Sequence, residues 1–286
     1  MIKFISLSSG SCGNCYFISL EEPDREPAGI LIDAGVSLRR LKKILGEHGY
    51  SYDSFSSILV THDHLDHIRH LGAYCKSLGK PVYATQVLHH ALASHSFTKD
   101  HIASCRRELS QDEWNEIIPG RISAKCFVVP HDATQTVGYA LNIGGYRLVV
   151  MTDIGRMTDE ALMYASEADT VVVESNYDMD MLIGGPYTHE LKMRICQGNG
   201  HLSNDECAAA IQKFYHPELK HIFLCHLSEN NNTPEKAYHT AVEGLAQLGL
   251  RPVSKNSWLL TGSGGRTVTL RALPRRTPSQ LFTLDE

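Results

Sequence analysis

Ser57-Ile58-Leu59-Val60-Thr61-His62-Asp63-His64-Leu65-Asp66-His67 joins an apolar run to three histidines and two aspartates within a few positions. The apolar run predicts a buried strand, the polar stretch its end, and Leu65 the start of a helix. Imidazole and carboxylate are ligands that suit zinc, manganese and iron. His62 and His64 alternate on an extended segment, so both reach one ion. Asp66 and His67 lie where the chain turns and face a second. A solvated polar loop does not account for so many ligands at one strand end.

Working outward, the same pattern recurs. Phe127-Val128-Val129-Pro130 leads into His131-Asp132, Leu148 to Thr152 into Asp153, and Ile222-Phe223-Leu224-Cys225 into His226. Strand ends gathered on one side of a sheet offer rigid, convergent positions for a metal site. Gly29-Ile30-Leu31-Ile32 is a further strand, ended by Asp33-Ala34-Gly35. Ser37 caps the helix after it, with Leu38, Leu41, Ile44 and Leu45 as its apolar face. Lys3 to Ser8 and Asn14 to Leu20 are strands around a small-residue turn, and Gly144-Gly145 predicts a hairpin. Helices are expected over His67–Leu78, Gln86–His95, Asp159–Glu167, Asp205–Tyr215 and Pro234–Leu248, with a less regular stretch from Phe97 to Gly120. His89, His90 and His95 read as surface residues of one helix. Mixed strands and helices with hairpins indicate sheets covered by helices. With no repeat or linker, residues 1–286 read as a single domain whose tail, 273–286, is loosely attached.

The 286 residues are 42% hydrophobic and 21% charged, ordinary for a globular chain. No run approaches the ~20 apolar residues of a membrane helix. The opening residues are too short and strand-like for a signal peptide, so a cytoplasmic protein with no membrane association is expected. The eight cysteines are scattered, and Cys12-x-x-Cys15 has no second pair at zinc-ribbon spacing. A net charge of −5 argues against wholesale capture of nucleic acid, while leaving room for a local basic groove. Arg39-Arg40 with Lys42-Lys43, Arg106-Arg107, Lys192 with Arg194, and Arg275-Arg276 are the candidates for one.

His62-x-His64-x-Asp66-His67 followed by His131, Asp153 and His226 resembles the metallo-β-lactamase-fold hydrolases. That resemblance implies an α+β fold, the αββα four-layer sandwich of two mixed β-sheets packed face to face with helices outside. It implies two divalent metal ions per chain, zinc or manganese, with iron also compatible with the ligand set. His62, His64 and His131 would hold one ion, Asp66, His67 and His226 the other, and Asp153 would bridge them. Asp33 would orient a ligand histidine by a hydrogen bond.

Leu7-Ser8-Ser9-Gly10-Ser11-Cys12-Gly13-Asn14, Val173 to Asp178, Gly200 to Asn204 and His226-Leu227-Ser228-x-Asn230-Asn231 are similar to the YycJ-like (WalJ, VicX) group. That group is akin to ribonuclease Z and the β-CASP nucleases, where an acidic residue pairs with a later histidine. Glu174 and His201 stand in those places. The inserted clamping domain of the β-CASP nucleases and the long arm of ribonuclease Z are both missing. The resemblance implies phosphodiester hydrolysis on DNA, as a 5′-to-3′ exonuclease with a metal-bridging hydroxide as nucleophile. Asp66, His201 and Glu174 form the expected catalytic set, with protonated His201 as general acid. Ser9, Ser11, Asn14, Ser203 and Asn230 are expected to contact substrate. The alternatives are a small cyclic phosphodiesterase of PhnP type and a regulatory metalloprotein linked to two-component signalling, of unknown partner.

Overall fold

The computed structural model describes residues 1–255 and 257–285. Its first six strands are β1 (Ile2–Gly10), β2 (Gly13–Leu20), β3 (Ala28–Ile32), β4 (Ser57–Leu59), β5 (Val82–Ala84) and β6 (Arg106–Glu108). The next nine are β7 (Asn115–Ile118), β8 (Ile122–Val129), β9 (Thr136–Ile143), β10 (Tyr146–Met151), β11 (Thr170–Glu174), β12 (His221–Cys225), β13 (Arg251–Pro252), β14 (Leu259–Thr261) and β15 (Thr267–Ala272), before β16 (Phe282–Thr283). One sheet has the order β16-β1-β2-β3-β4-β5-β6 and the other β13-β14-β15-β12-β11-β10-β9-β8-β7.

Period-two alternation divides the second sheet between two cores. Leu148, Val150, Val172 and Phe223 pack toward the first sheet, and Phe223 lies 5.1 Å from Phe4. Their neighbours Val149, Met151, Val171, Val173, Ile222 and Leu224 pack the other way. There they meet three helices, Asp159–Ala165, Asn204–Phe214 and Pro234–Gln247. On the far side of the first sheet, α1 (Leu38–Glu47) buries Leu41, Ile44 and Leu45. The result is helices, sheet, sheet, helices, an α+β sandwich of four layers. Among the described residues no helix is long and apolar enough to cross a membrane.

Strand direction positions the site. β3, β4, β5 and β6 run parallel, as do β10, β11, β12 and β15. β8 is two antiparallel steps from β10 and so points the same way. Carboxyl ends of parallel strands are where the chain leaves the sheet for a loop, and where open α/β sheets place ligands.

Four expectations need correction. The tail is fastened: Phe282 and Thr283 pair with Phe4 and Lys3, Leu284 is buried, and Ser279 donates its N–H to Ser6 O at 2.8 Å. Without it β1 would be an edge strand with open backbone groups. The helix after the histidine stretch is broken into α2 (Leu65–Ile68) and α3 (Leu71–Leu78), because His70 N–H turns to Ala34 O at 3.1 Å. Phe97–Gly120 contains a short helix, Ile102–Cys105, and strands β6 and β7. His89 is buried beside Leu88 and Leu92, its Nε2 donating to Arg107 O at 2.8 Å. The Gly144-Gly145 hairpin forms between β9 and β10, both glycines at positive φ (58° and 94°), which a tight turn of this kind requires.

Candidate metal centre

Five of the seven sequence-selected candidate ligands stand just beyond a strand. His62 and His64 follow β4, His131 follows β8, Asp153 follows β10 and His226 follows β12, while Asp66 and His67 lie in α2. Gly35 lets the β1–β2 hairpin and α2 close on one another, since a side chain there would strike Asp66 O and Asn14 N. Among the described residues four groups bring donor atoms close enough for one ion: His62, His64 and His131; Asp66, His67 and His226; His62, His67 and Asp153; and Asp153, Glu174, His201 and His226. The first two are the sets expected for the two ions, and Asp153 belongs to both of the others.

In the first group His131 Nε2 and His64 Nδ1 are 3.3 Å apart. In the second, Asp66 Oδ2 is 3.6 Å from His67 Nε2 and 3.5 Å from His226 Nε2. Asp153 reaches both, with Oδ2 at 3.1 Å from His67 Nε2 and Oδ1 at 3.7 Å from His131 Nε2. Two ligand atoms each about 2.1 Å from a tetrahedrally held cation sit about 3.4 Å apart, which these separations match. Nε2 of His62 and of His226 are buried with no hydrogen-bond partner. Such an atom costs about 1–3 kcal/mol unless something satisfies it, and a divalent cation is the partner this donor set fits.

A ring of hydrogen bonds fixes the ligands. Asp33 Oδ2 is 2.6 Å from His67 Nδ1 and also accepts from Thr61 Oγ1, while its Oδ1 accepts from Thr61 N. Asn14 Nδ2 lies 3.1 Å from Asp66 Oδ2 and 2.8 Å from His67 Nε2. Glu174 is wholly buried, and its Oε1 is 2.8 Å from both His201 Nδ1 and His226 Nδ1. Its Oε2 accepts from the N–H groups of Ile154 and Leu202. With both oxygens spent, Glu174 acts as an orienting carboxylate for two histidines. Four non-glycine residues among those described have positive φ, and three of them are Asp33 (61°), Asp153 (53°) and His226 (51°). This left-handed region is sparsely populated by side-chain-bearing residues.

The charges are balanced internally. Burial and the neighbouring His67 hold His62 well below the usual imidazole range. Burial also opposes a charge on His67, yet Asp153, Asp33 and Asp66 push it up to about 10. Asp153 stays well below the carboxylate range despite its burial, because His226 and His67 face it. His201 is raised by Glu174 against the effect of its burial. The carboxylates that hold protons on these rings would equally hold a cation.

The residues selected for substrate contact divide. Ser11 is exposed and lines the cleft over the ligands. Ser9 is buried, its hydroxyl shared with Tyr16 OH and accepting from His226 N. Asn14 holds ligands, as described. Ser203 is spent on a capping box with Glu206 at the start of Asn204–Phe214, and Asn230 donates to Tyr187 OH. Sequence reading missed Asn176, which donates to His226 O at 2.8 Å, and Asp132, which pairs with Arg194 beside His64 and His131. It also missed Tyr187 and Ser228 in the cleft wall. Of the basic clusters, Arg194 reaches the cleft and Arg275 bonds Ser228 O at its rim, while Lys192 turns away to Ile183 O.

Comparison with known proteins gives the same grouping. Residues 29–226 match the model of the β-lactamase superfamily domain. The chain is 31% identical over 248 residues to a Streptococcus pneumoniae protein named exodeoxyribonuclease WalJ, covering 87% of this chain and 90% of that one. It is 31% identical over 252 residues to a Bacillus anthracis protein named exodeoxyribonuclease YycJ, with the same coverage. The crystal structure of a diphosphatase from the PhnP family superposes with a TM-score of 0.58 at 16% identity, over 84% of this chain and 91% of that one, a likeness of fold alone. With the superfamily model spanning most of the chain and two relatives aligned almost end to end, this protein belongs to the β-lactamase superfamily.

Proposed function

We propose that the protein is a metal-dependent phosphodiester hydrolase that removes nucleotides from a DNA end, in the 5′-to-3′ direction. The observation that carries this reading is His201, fixed by Glu174 at 2.8 Å beside both ligand groups in one cleft of about 240 Å³. The names of the two relatives support DNA as the substrate. Two divalent cations held by His62, His64 and His131 and by Asp66, His67 and His226, with Asp153 shared, would supply a nucleophilic oxygen at neutral pH and polarise the phosphoryl group. Asp66 orients the attacking oxygen from its open edge. Glu174 keeps the proton on His201 Nδ1, which leaves Nε2 turned to the cleft without a protein partner among the described residues. From there the protonated ring gives its Nε2 proton to the leaving alkoxide as general acid. Ser11, at the exposed turn of the β1–β2 hairpin, contacts a substrate oxygen.

A second reading, hydrolysis of a small cyclic phosphodiester, is favoured by one observation. Glu174 and His201 are separated only by two short helices, Met179–Gly184 and His189–Cys196, so no clamping domain covers the cleft. Metal-reconstituted protein, with zinc and manganese tried separately, is to be given 5′-phosphorylated duplex DNA, a 2′,3′-cyclic phosphate and bis(p-nitrophenyl) phosphate, with Asp66→Ala as the contamination control. Stepwise release of mononucleotides from DNA is the expected result. Turnover of the cyclic ester with intact DNA would replace the first reading by the second, and silence on every substrate with metal bound would refute both.

A further inference from the structure

The cleft continues past the ligand groups. Asp132 and Arg194 line its wall and also the wall of a second recess, which runs on to Arg156, Gln197 and Asn199 with Glu190 at its rim. Arg194 lies on the helix His189–Cys196, and its Nε donates to Asp132 Oδ2. Asp132 directly follows His131, and its Oδ1 lies 3.4 Å from His131 Nε2. The guanidinium is thus mounted on a carboxylate that touches the first ligand group. Its Nη1 and Nη2 donors have no partner among the described residues, and Arg156 there makes neither a hydrogen bond nor an ion pair. An exposed ion pair such as Arg194–Asp132, with the arginine side chain 62% exposed, contributes little to stability. The pair occupies Nε and leaves free the two Nη donors of a residue that lines both the cleft and the recess. Two such donors match the oxygens of a phosphate. The recess also carries Asp132 and Glu190, so its two arginines are balanced by two carboxylates, and what distinguishes it in a chain of net charge −5 is the guanidinium donors left unpaired there.

Resting on the phosphodiesterase reading above, we propose that Arg194, anchored by Asp132, and Arg156 beyond it bind successive backbone phosphates of a polynucleotide adjoining the one delivered to the ligand groups. The groove then selects a chain of phosphates over an isolated ester. Two sites on one track also give polynucleotide binding a salt dependence that a single-phosphate substrate lacks.

The test compares two substrates on the metal-reconstituted full chain: a 5′-phosphorylated oligodeoxynucleotide and bis(p-nitrophenyl) phosphate, which carries one phosphate. The readout is the ratio of their kcat/KM values. Arg194→Met, which keeps the apolar stem, is expected to lower that ratio about 10- to 100-fold, carried by KM for the oligonucleotide. Arg156→Met, at a residue with no protein partner, is expected to lower it by a smaller factor of about 3 to 10. Each variant should also flatten the dependence of log(kcat/KM) on log salt for single-stranded substrate by about 0.7 per lost contact. Equal losses on both substrates would overturn the proposal, since Arg194 would then act through Asp132 on the ligand groups. An unchanged ratio in both variants would overturn it as well and leave the nuclease reading standing. Wild-type protein that cleaves the ester and never the oligonucleotide would sink the nuclease reading itself, and this proposal with it.

Discussion

Replacing Asp33 with asparagine changes no volume and keeps a residue type that tolerates the φ of 61° at this position. It nevertheless breaks a set of three hydrogen bonds that only a carboxylate satisfies. Oδ1 accepts from Thr61 N at 2.8 Å, and Oδ2 faces both Thr61 Oγ1 at 2.8 Å and His67 Nδ1 at 2.6 Å. If the asparagine oxygen turns to His67, its amide confronts the Thr61 N–H, donor against donor. If the oxygen turns to Thr61 N, the amide confronts His67 Nδ1–H. The ring escapes the second conflict only by moving its proton to Nε2, the atom that faces Asp66 and Asp153, and a protonated nitrogen cannot ligate. Loss of a partner of this kind costs about 10- to 100-fold in metal affinity, or about 1.4–2.8 kcal/mol. The metal-free protein, with one buried donor unsatisfied, should lose about 1–3 kcal/mol. Competition of Asp33→Asn and wild type against a chromophoric chelator measures the first quantity, and urea unfolding of the metal-free proteins the second. A chelator curve within twofold of wild type would refute the reasoning, because His67 would then need no orienting carboxylate.

Three further outcomes are expected. His201→Ala should lower kcat about 10²- to 10⁴-fold while metal content by mass spectrometry stays at the wild-type value; loss of metal together with rate would make His201 structural. Ser203→Ala removes one half of the capping box and should cost about 1 kcal/mol of stability in denaturant. Its kcat/KM should remain within twofold of wild type, and a larger fall would restore Ser203 as a substrate contact. Leu284→Ala truncates a side chain that is 0% exposed and should destabilise by about 2–5 kcal/mol; a melting curve unchanged from wild type would mean that the last strand carries no load.

Legibility followed sequence distance. The convergence of the strand-end histidines and aspartate could be read because each lies directly after its own apolar run, so pattern and chemistry are adjacent in the chain. The orienting groups could not be read in this way. Glu174 and His226 meet across 52 positions, Asn14 and Asp66 across the same number, and Ser9 and His226 across 217. Strand pairing within one sheet brings the first two pairs together and the stacking of the two sheets the third, and no local signal marks either. Ser203 is a different case, because Ser203-Asn204-Asp205-Glu206 is itself a capping signature that competes with any functional reading. The tail misled through its composition: Pro278 and Ser279 suggest looseness, but Phe282 and Leu284 reach a strand edge that needs covering.

The left-handed backbone at Asp33, Asp153 and His226 sets a limit on engineering this chain. Glycine adopts that conformation with no steric penalty, so a redesign scored on backbone strain alone would favour glycine at these three positions, against the hydrogen bonds that Asp33 and His226 make there. Taken together, such replacements would erase two candidate metal ligands, Asp153 and His226, and the carboxylate that bonds a third candidate, His67. Thermostabilised versions of this enzyme should therefore be designed with those positions held fixed, and their retention makes a quick screen for whether a redesigned sequence has kept its purpose.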